Sequence, residues 1–358
     1  MRVLVWQWGR RGAGPRVAAV LAQHLAAVPD VQVLLSLASG AELLRTQHPP
    51  SVDLPFTTYN SLLGLVCRAV MAPVLIPYLA RWLRVHRVDV ALCAMPAALD
   101  AVMAAALRRA RVPFAVVVHD ATPHPGDRFP VQLRLQAMLL RRASGVFALS
   151  RHVADGLTHH GRPVFMSSLP PLVFGGTPAA PRTHDGPLRL LSFGRLLAYK
   201  GLDLLADSLV ALGTRPDLEV RVVGQGPDSP ALAALARLPG VTVENRWVPE
   251  DELGALLAWS DALILPYREA SQSGVAAAAL AARRWVIATD VGGLREQLQH
   301  EQAALLCPPT AAGLTDAILA VLEGRLPPPL PPVPNWTAHA AAMANRLRQI
   351  MQPIARLN

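Results

Sequence analysis

Short apolar runs alternate with longer helical patterns along the whole 358-residue chain, and they do so in two successive series. The first series reads as strands at Arg2 to Trp6, Val31 to Leu35, Val90 to Cys93, Phe114 to Val118, Gly145 to Leu149 and Val164 to Met166. The second reads as strands at Leu188 to Phe193, Leu218 to Val223, Val241 to Glu244, Ala262 to Leu265, Val286 to Ala288 and Ala304 to Leu306. Helical segments such as Gly14 to Ala27, Ala97 to Ala110, Asp203 to Leu212 and Gly274 to Ala282 lie between them. Strand–helix–strand order kept through two series predicts an α/β protein with two doubly wound parallel sheets. The length suits two domains of about 150 to 180 residues better than one core.

Gly175 to Pro187, rich in Gly, Pro and Thr, reads as the connection, so domains are expected at 1–175 and 188–330. The proline tract Pro327 to Pro334 cannot continue a helix. Asn335 is placed to cap a last helix reaching about Gln349, and the segment 335–358 is expected to cross back over both domains and pack on the first.

Charge separates the halves. Residues 1–180 carry 18 arginines and 8 acids, whereas residues 181–358 carry 16 cations and 17 acids. A basic first half points to an anionic partner there, either membrane lipid or nucleic acid. Aromatics make up only 5% of the chain, and there is no basic helix with interleaved aromatics or zinc-finger spacing, which disfavours nucleic acid. Leu62 to Arg84 stands out within the basic half: twelve apolar residues from Ala69 to Ala80, interrupted by Pro73 and Pro77 and flanked by Arg68, Arg81, Trp82 and Arg84. That run is too short to span a bilayer as one helix. It fits a segment lying on an anionic leaflet, or a kinked buried helix. Hydrophobic residues reach 52%, part of it alanine and leucine. The first ten residues read as a strand rather than as a signal peptide, and Cys67, Cys93 and Cys307 are too scattered for a disulfide framework or a zinc site. Cytoplasmic residence, either free or peripheral on the inner face of the plasma membrane, is the expectation.

Lys200 is the only lysine beside 33 arginines. It lies in Ser192-Phe-Gly194-Arg195-Leu-Leu-Ala-Tyr-Lys200-Gly201, between an apolar strand and a helical pattern. The turn from strand to helix is where α/β proteins hold phosphate. An ammonium is a compact point charge and a guanidinium a planar fork, so Arg195 and Lys200 can grip a diphosphate from two sides. Alternatively, Lys200 is one exposed cation at a helix start. Val223-Gly-Gln-Gly226-Pro227 offers a tight glycine turn after the next strand, and Trp247 to Leu253 opens a helix after the one following. In Leu265-Pro-Tyr-Arg-Glu269-Ala-Ser271-Gln272-Ser273-Gly274-Val275, the amides and hydroxyl at Ser273 and Gly274 can be turned toward an anion by a helix N-terminus. Ser271 reads equally as part of an N-capping cluster. Val286-Ile-Ala-Thr-Asp-Val-Gly-Gly293-Leu294 adds another strand and glycine turn.

These pieces, in this order across residues 180–306, resemble the donor-binding domain of the GT-B glycosyltransferases, and best the retaining family 4 (glycosyl transferases group 1). The first half is similar more loosely, through Gly12-Ala13-Gly14 after the first strand and His119-Asp120 closing another. The resemblance implies two Rossmann-like domains facing across a cleft, the first binding acceptor and the second a nucleoside diphosphate sugar. It implies that Arg195 and Lys200 bind the donor diphosphate and stabilise the charge left on it, each contact contributing ~1.5–3 kcal/mol. It places His119 on the donor sugar, Gly12 and Gly14 close to sugar or phosphate, Gly194 in the diphosphate turn, and Gly226 and Trp247 near the base. It requires neither a metal nor a further cofactor. The family usually carries two glutamates eight positions apart, which fall here on Ala270 and Ala278, with Glu269 one residue off and able to serve as the first. Ser271, Gln272 and Ser273 are the candidates for compensating donor contacts. The expected activity is hexosyl transfer with retention to a glycan or lipid-linked acceptor, in cell-surface polysaccharide or glycolipid synthesis. A non-catalytic GT-B subunit is the competing reading. A sugar-nucleotide epimerase would need a set of acidic groups that the sequence does not offer.

Overall fold

The computed structural model describes residues 1–120, 130–157, 161–175, 180–182, 184–329 and 336–352, with only the backbone at 130–133. Two compact units divide them. The first comprises 1–120, 130–170 and 336–352, and the second 171–329.

The first unit is built on six parallel strands: β1 (Arg2–Gln7), β2 (Gln32–Leu37), β3 (Val90–Cys93), β4 (Phe114–Val118), β5 (Gly145–Ala148) and β6 (Val164–Met166), in the order β2-β1-β3-β4-β5-β6. β3, β4 and β5 are buried at every position, which is why they read as unbroken apolar runs. Helices α1 (Ala13–Ala26), α2 (Leu62–Val70), α3 (Ala72–Val85), α4 (Asp100–Ala110), α5 (Pro130–Arg142) and α6 (Arg151–Gly156) connect them.

The second unit has six parallel strands in the order β12-β11-β10-β7-β8-β9: β7 (Leu188–Arg195), β8 (Leu218–Gln225), β9 (Val241–Asn245), β10 (Ala262–Leu265), β11 (Trp285–Thr289) and β12 (Ala304–Cys307). Helices α7 (Leu202–Leu212), α8 (Pro230–Leu235), α9 (Glu250–Trp259), α10 (Gly274–Ala281), α11 (Gly293–Leu298) and α12 (Ala311–Leu322) lie between them. Each expected strand is present. β7 and β8 run two residues further than their apolar cores because Gly194 pairs with Gly224 and Arg195 with Gln225. A Cβ on Gly224 would stand 1.7 Å from the Gly194 carbonyl oxygen, so the strands can stay this close only with glycine there.

Three segments stand apart from the two sheets. The Gly175–Pro187 stretch is no free connection: buried Asp261 accepts the backbone N–H of Arg182 at 2.7 Å and of Arg189 at 2.9 Å, and it also meets His184 Nε2 at 3.1 Å. These bonds strap the described part of the stretch to the second unit. The final helix, α13 (Trp336–Met351), packs on α1 within the first unit, with Trp336 Nε1 donating to the Leu169 carbonyl at 3.3 Å; its expected cap, Asn335, lies outside the described residues. The 62–85 segment is two helices bent by 68° at Met71, because Pro73 can open a helix but cannot continue one.

Ser61 caps α2 by accepting the Gly64 amide at 3.1 Å, yet α2 buries none of its side chains. α3 turns Leu79, Ala80 and Leu83 into the core against α4 and leaves Val74, Tyr78 and Val85 exposed. Leu62 is 78% exposed, and Leu63 and Val70 are each 73% exposed. No single described helix is long and apolar enough to cross a membrane, although α2 and α3 together reach that length and composition.

Candidate functional site

In the second unit β7 has β8 on one side and β10 on the other, so the chain leaves the carboxyl ends of these neighbouring strands toward opposite directions. Such a switch point opens a crevice at the carboxyl ends, where doubly wound sheets bind ligands. Arg195 is the last residue of β7. The chain then makes one 3-10 turn, Ala198–Lys200, and passes through Gly201 at φ +65° into α7. A Cβ at Gly201 would lie 1.8 Å from the Pro266 carbonyl oxygen, so only glycine lets the turn rest against the end of β10.

Two tyrosines meet the two cations there. Arg195 Nη2 donates to the Tyr199 hydroxyl at 2.9 Å. Lys200 Nζ lies 3.7 Å from the ring centre of Tyr267 and 5.0 Å from that of Tyr199. The Tyr199 carbonyl accepts the Arg268 amide at 2.8 Å, and the Arg268 side chain is ion-paired with Asp203. Tyr267, buried just beyond β10, has its carbonyl held by Thr289 Oγ1 at 2.5 Å and its hydroxyl 3.4 Å from Ser273 Oγ. Burial pushes the Tyr267 hydroxyl up to about 12, and it also raises Tyr199, against the opposing pull of Lys200 and Arg195. Both rings are therefore neutral at physiological pH.

The loop 268–274 follows. Its backbone is set by Gly292, at φ +49° with a Cβ position 2.1 Å from the Ala270 carbonyl oxygen, and by the Gly293 amide donating to that oxygen at 2.9 Å. Ser271 and Ser273 are buried, Gln272 and Gly274 half-buried, and Glu269 half-buried beside exposed Arg268. Ser273 does not turn its amide and hydroxyl toward an anion as the sequence suggested. Its N–H donates to Gln297 Oε1 at 2.9 Å, its Oγ caps α10 by accepting the Ala276 amide at 3.3 Å, and Gln297 Nε2 returns a bond to its carbonyl at 3.0 Å. Ala270 and Ala278 are both buried, so no carboxylate reaches the crevice from either position.

At the ends of β8 and β9, Asn245 brackets Gly226: Oδ1 accepts its amide at 3.0 Å and Nδ2 donates to its carbonyl at 3.1 Å. A Cβ on Gly226 would stand 2.1 Å from the Leu196 carbonyl oxygen, which seats this turn beside the Arg195 strand. Half-buried Trp247 follows two residues after Asn245, so it leaves the end of β9 beside the end of β8 from which Gly226 departs.

In the first unit, Gly12 precedes α1 at φ +78° with open space where a side chain would be. A Cβ at Gly14 would lie 2.6 Å from Gln7 Nε2. His119 directly follows β4, and burial lowers its pKa while Asp120 pulls it up. The carboxyl ends of β1 and β3 hold a feature that sequence reading missed: Asp100, buried at the start of α4, accepts from Trp6 Nε1 at 3.1 Å, Cys93 Sγ at 3.4 Å and the Ala97 amide at 2.6 Å. Burial raises its pKa to about 7 against those three hydrogen bonds. Among the described residues no three His, Cys, Asp or Glu side chains converge in a way that could hold a metal ion.

A family model for glycosyl transferases group 1 matches residues 187–324, and one for glycosyltransferase family 4 matches residues 14–165. The chain carries a group 1 glycosyl transferase domain at 187–324 and a family 4 glycosyltransferase domain at 14–165. A curated relative, glycogen synthase of Mycobacterium tuberculosis, is 34% identical over 153 residues, 40% of this chain and 36% of that protein. D-inositol 3-phosphate glycosyltransferase of Jonesia denitrificans is 34% identical over 126 residues, 32% of this chain and 30% of its own length. The matches thus span about a third of these relatives. Among solved structures, Anabaena HepE in complex with UDP and glucose superposes with a TM-score of 0.64 at 19% identity, over 99% of this chain and 98% of that one. The UDP-GlcNAc 2-epimerase of Neisseria meningitidis gives 0.57 at 12% identity, over 98% and 100%. Both show that the chain has the GT-B fold. Tyr199 and Tyr267 stood within motifs already singled out but carried no charge to flag them, and Asn245 and Gln297 act on partners 19 and 24 positions away, which no local pattern reveals.

Proposed function

We propose that the chain transfers a hexose from a nucleoside diphosphate sugar, with retention of anomeric configuration, to a glycan or lipid-linked acceptor of the cell surface. The observation that carries this reading is the convergence of Arg195 and Lys200 at the switch point between β7 and β10. As the bond from the anomeric carbon to the diphosphate oxygen breaks, negative charge grows on the leaving group, and the guanidinium and ammonium stabilise it more than they stabilise the intact donor. A leaving-group oxygen takes the acceptor proton while the acceptor oxygen bonds to the same face of the sugar, so the chemistry requires no side-chain nucleophile. Solved structures of Anabaena HepE hold UDP and UDP-glucose, which supports a nucleotide-sugar donor here. His119 takes the part the family resemblance gives it, a contact to the donor sugar. Gly226 and Trp247 are assigned to the base, and Glu269, Gln272 and Gly274 are the nearest candidates for sugar and ribose contacts.

The acceptor assignment rests on α2 and α3. No acidic residue lies between Asp53 and Asp89, while Arg68, Arg81, Arg84 and Arg87 do. An apolar face among cations, with no carboxylate to repel phospholipid, fits an anionic leaflet and peripheral attachment at the cytoplasmic side.

The test is release of nucleoside diphosphate from UDP- and GDP-sugars, followed by mass spectrometry. Turnover that drops at least about 100-fold in Lys200→Ala supports the transferase. A second reading, a nucleotide-binding subunit without turnover, is favoured by the buried alanines at 270 and 278. Tight binding of UDP or GDP with no product from any donor, also in the presence of lipid extract, would establish it.

A further inference from the structure

We infer that Tyr199 and Tyr267 are positioning residues for the diphosphate contacts: the Tyr267 ring holds the Lys200 ammonium, and the Tyr199 hydroxyl holds the Arg195 guanidinium. The inference rests on the reading of Arg195 and Lys200 as diphosphate ligands.

A lysine side chain has four rotatable bonds, and its charge is useful in a reaction only if it waits where the anion will be. The ring of Tyr267 supplies a fixed point, since Nζ stands 3.7 Å from its centre, well within cation–π range. Such an attraction comes from the ring quadrupole, so this contact leaves the ammonium's formal charge in place for an incoming anion. The ring itself cannot drift: it is buried, its carbonyl is tied to Thr289 at the end of β11, and its hydroxyl faces the Ser273 cap of α10. Three separate elements therefore set the height of one ammonium.

Tyr199 does the corresponding task for Arg195 by a different interaction. Its hydroxyl accepts from Nη2 at 2.9 Å, which fixes one edge of the guanidinium fork and thereby its plane. The two rings meet edge to face at 6.4 Å, so the cations are referenced to one aromatic pair rather than to two independent supports. Because one cation depends on a ring and the other on a hydroxyl, conservative substitutions separate them. Tyr267→Phe keeps the ring and Tyr267→Leu removes it; Tyr199→Phe removes only the hydroxyl.

The experiment measures UDP and GDP affinity by calorimetry, and donor turnover on whichever sugar nucleotide the wild type uses, for these three variants, for Lys200→Ala and for the double variant Tyr267→Leu/Lys200→Ala. Thermal midpoints serve as the folding control. The expected result is a fall in kcat of about tenfold for Tyr267→Leu, with KM changing less, and Tyr267→Phe within about twofold of wild type. The double variant should be no worse than Lys200→Ala alone. Tyr199→Phe should lose about tenfold whether or not Lys200 is present. Equal losses from Tyr267→Leu with and without Lys200, or no loss from it in a folded protein, overturn the clamp. If Lys200→Ala itself changes neither nucleotide affinity nor turnover, the assignment of the diphosphate site falls first and the clamp falls with it.

Discussion

The side-chain amide of Gln297 holds both backbone polar groups of Ser273, accepting its N–H at 2.9 Å and donating to its carbonyl at 3.0 Å. This two-point bond joins α11 to the residue that starts α10, and so fixes how far the 268–274 loop stands from the end of β10. Gln297→Leu fills similar space but leaves the Ser273 N–H without its partner, while the Ser273 carbonyl keeps the Ala277 amide at 3.1 Å. It should lower stability by ~1–3 kcal/mol in urea titration and weaken nucleotide affinity in calorimetry, whereas an exposed control such as Gln299→Leu changes neither.

Gly201→Ala tests the seat of Lys200 directly. The added methyl meets the Pro266 carbonyl oxygen and forces a positive φ on alanine. The turn must move away from β10, so the variant should lose ~2 kcal/mol or more and bind UDP or GDP weakly even where it remains folded. Gly213→Ala, also at positive φ but with open space around it, should cost stability without touching nucleotide affinity.

Exposed apolar residues can be exchanged at little cost to the fold, so the membrane assignment has a clean test. Leu62→Ser, Leu63→Ser and Val66→Ser together should abolish cosedimentation with vesicles containing phosphatidylglycerol while leaving the unfolding midpoint within ~0.5 kcal/mol and nucleotide binding intact. Raising salt should weaken wild-type binding to these vesicles, since Arg68, Arg81, Arg84 and Arg87 supply the screened part. Wild-type protein that fails to bind anionic vesicles at low salt would remove the assignment.

Asp100 predicts a pH dependence of opposite sign to that of an ordinary paired carboxylate. Its folded pKa of about 7 lies above the ordinary carboxylate value of 3.8, so folding favours the protonated form. The stabilisation it gives is complete below about pH 4 and disappears as pH rises to about 7, on the order of 4 kcal/mol in all. Asp100→Asn cannot titrate, and its amide turns donors toward donors, so its stability is lower at every pH. The difference between wild type and variant in urea midpoint should be larger at pH 4 than at pH 7.5; a constant difference would contradict the assignment.

The strands were legible because parallel sheets bury both faces: β3, β4 and β10 appear in the sequence at their final bounds. Arg195 and Lys200 were legible because charge at the end of an apolar strand is conspicuous in a chain with one lysine. What supports them was hidden, since an aromatic beside a cation in sequence says nothing about a ring 67 positions further on. Ser273 differs for the same reason: the amide that the sequence offers to an anion is answered by Gln297, a partner visible only once α11 is docked. The exposure of α2 could not be told from burial, because apolar composition is the same in a core and on a leaflet; after the bend at Met71, α2 packs Leu65 partly against the core and leaves Leu62, Leu63, Val66 and Val70 exposed.

The first unit recruits α13 from beyond the whole second unit, and Trp336 reaches back 167 positions to the Leu169 carbonyl. During synthesis the ribosome therefore delivers every strand of the second sheet before the helix that covers α1 has emerged. The half begun first is finished last, and its α1 surface stays uncovered during the interval. Chaperone dependence, if this protein has any, should be sought there.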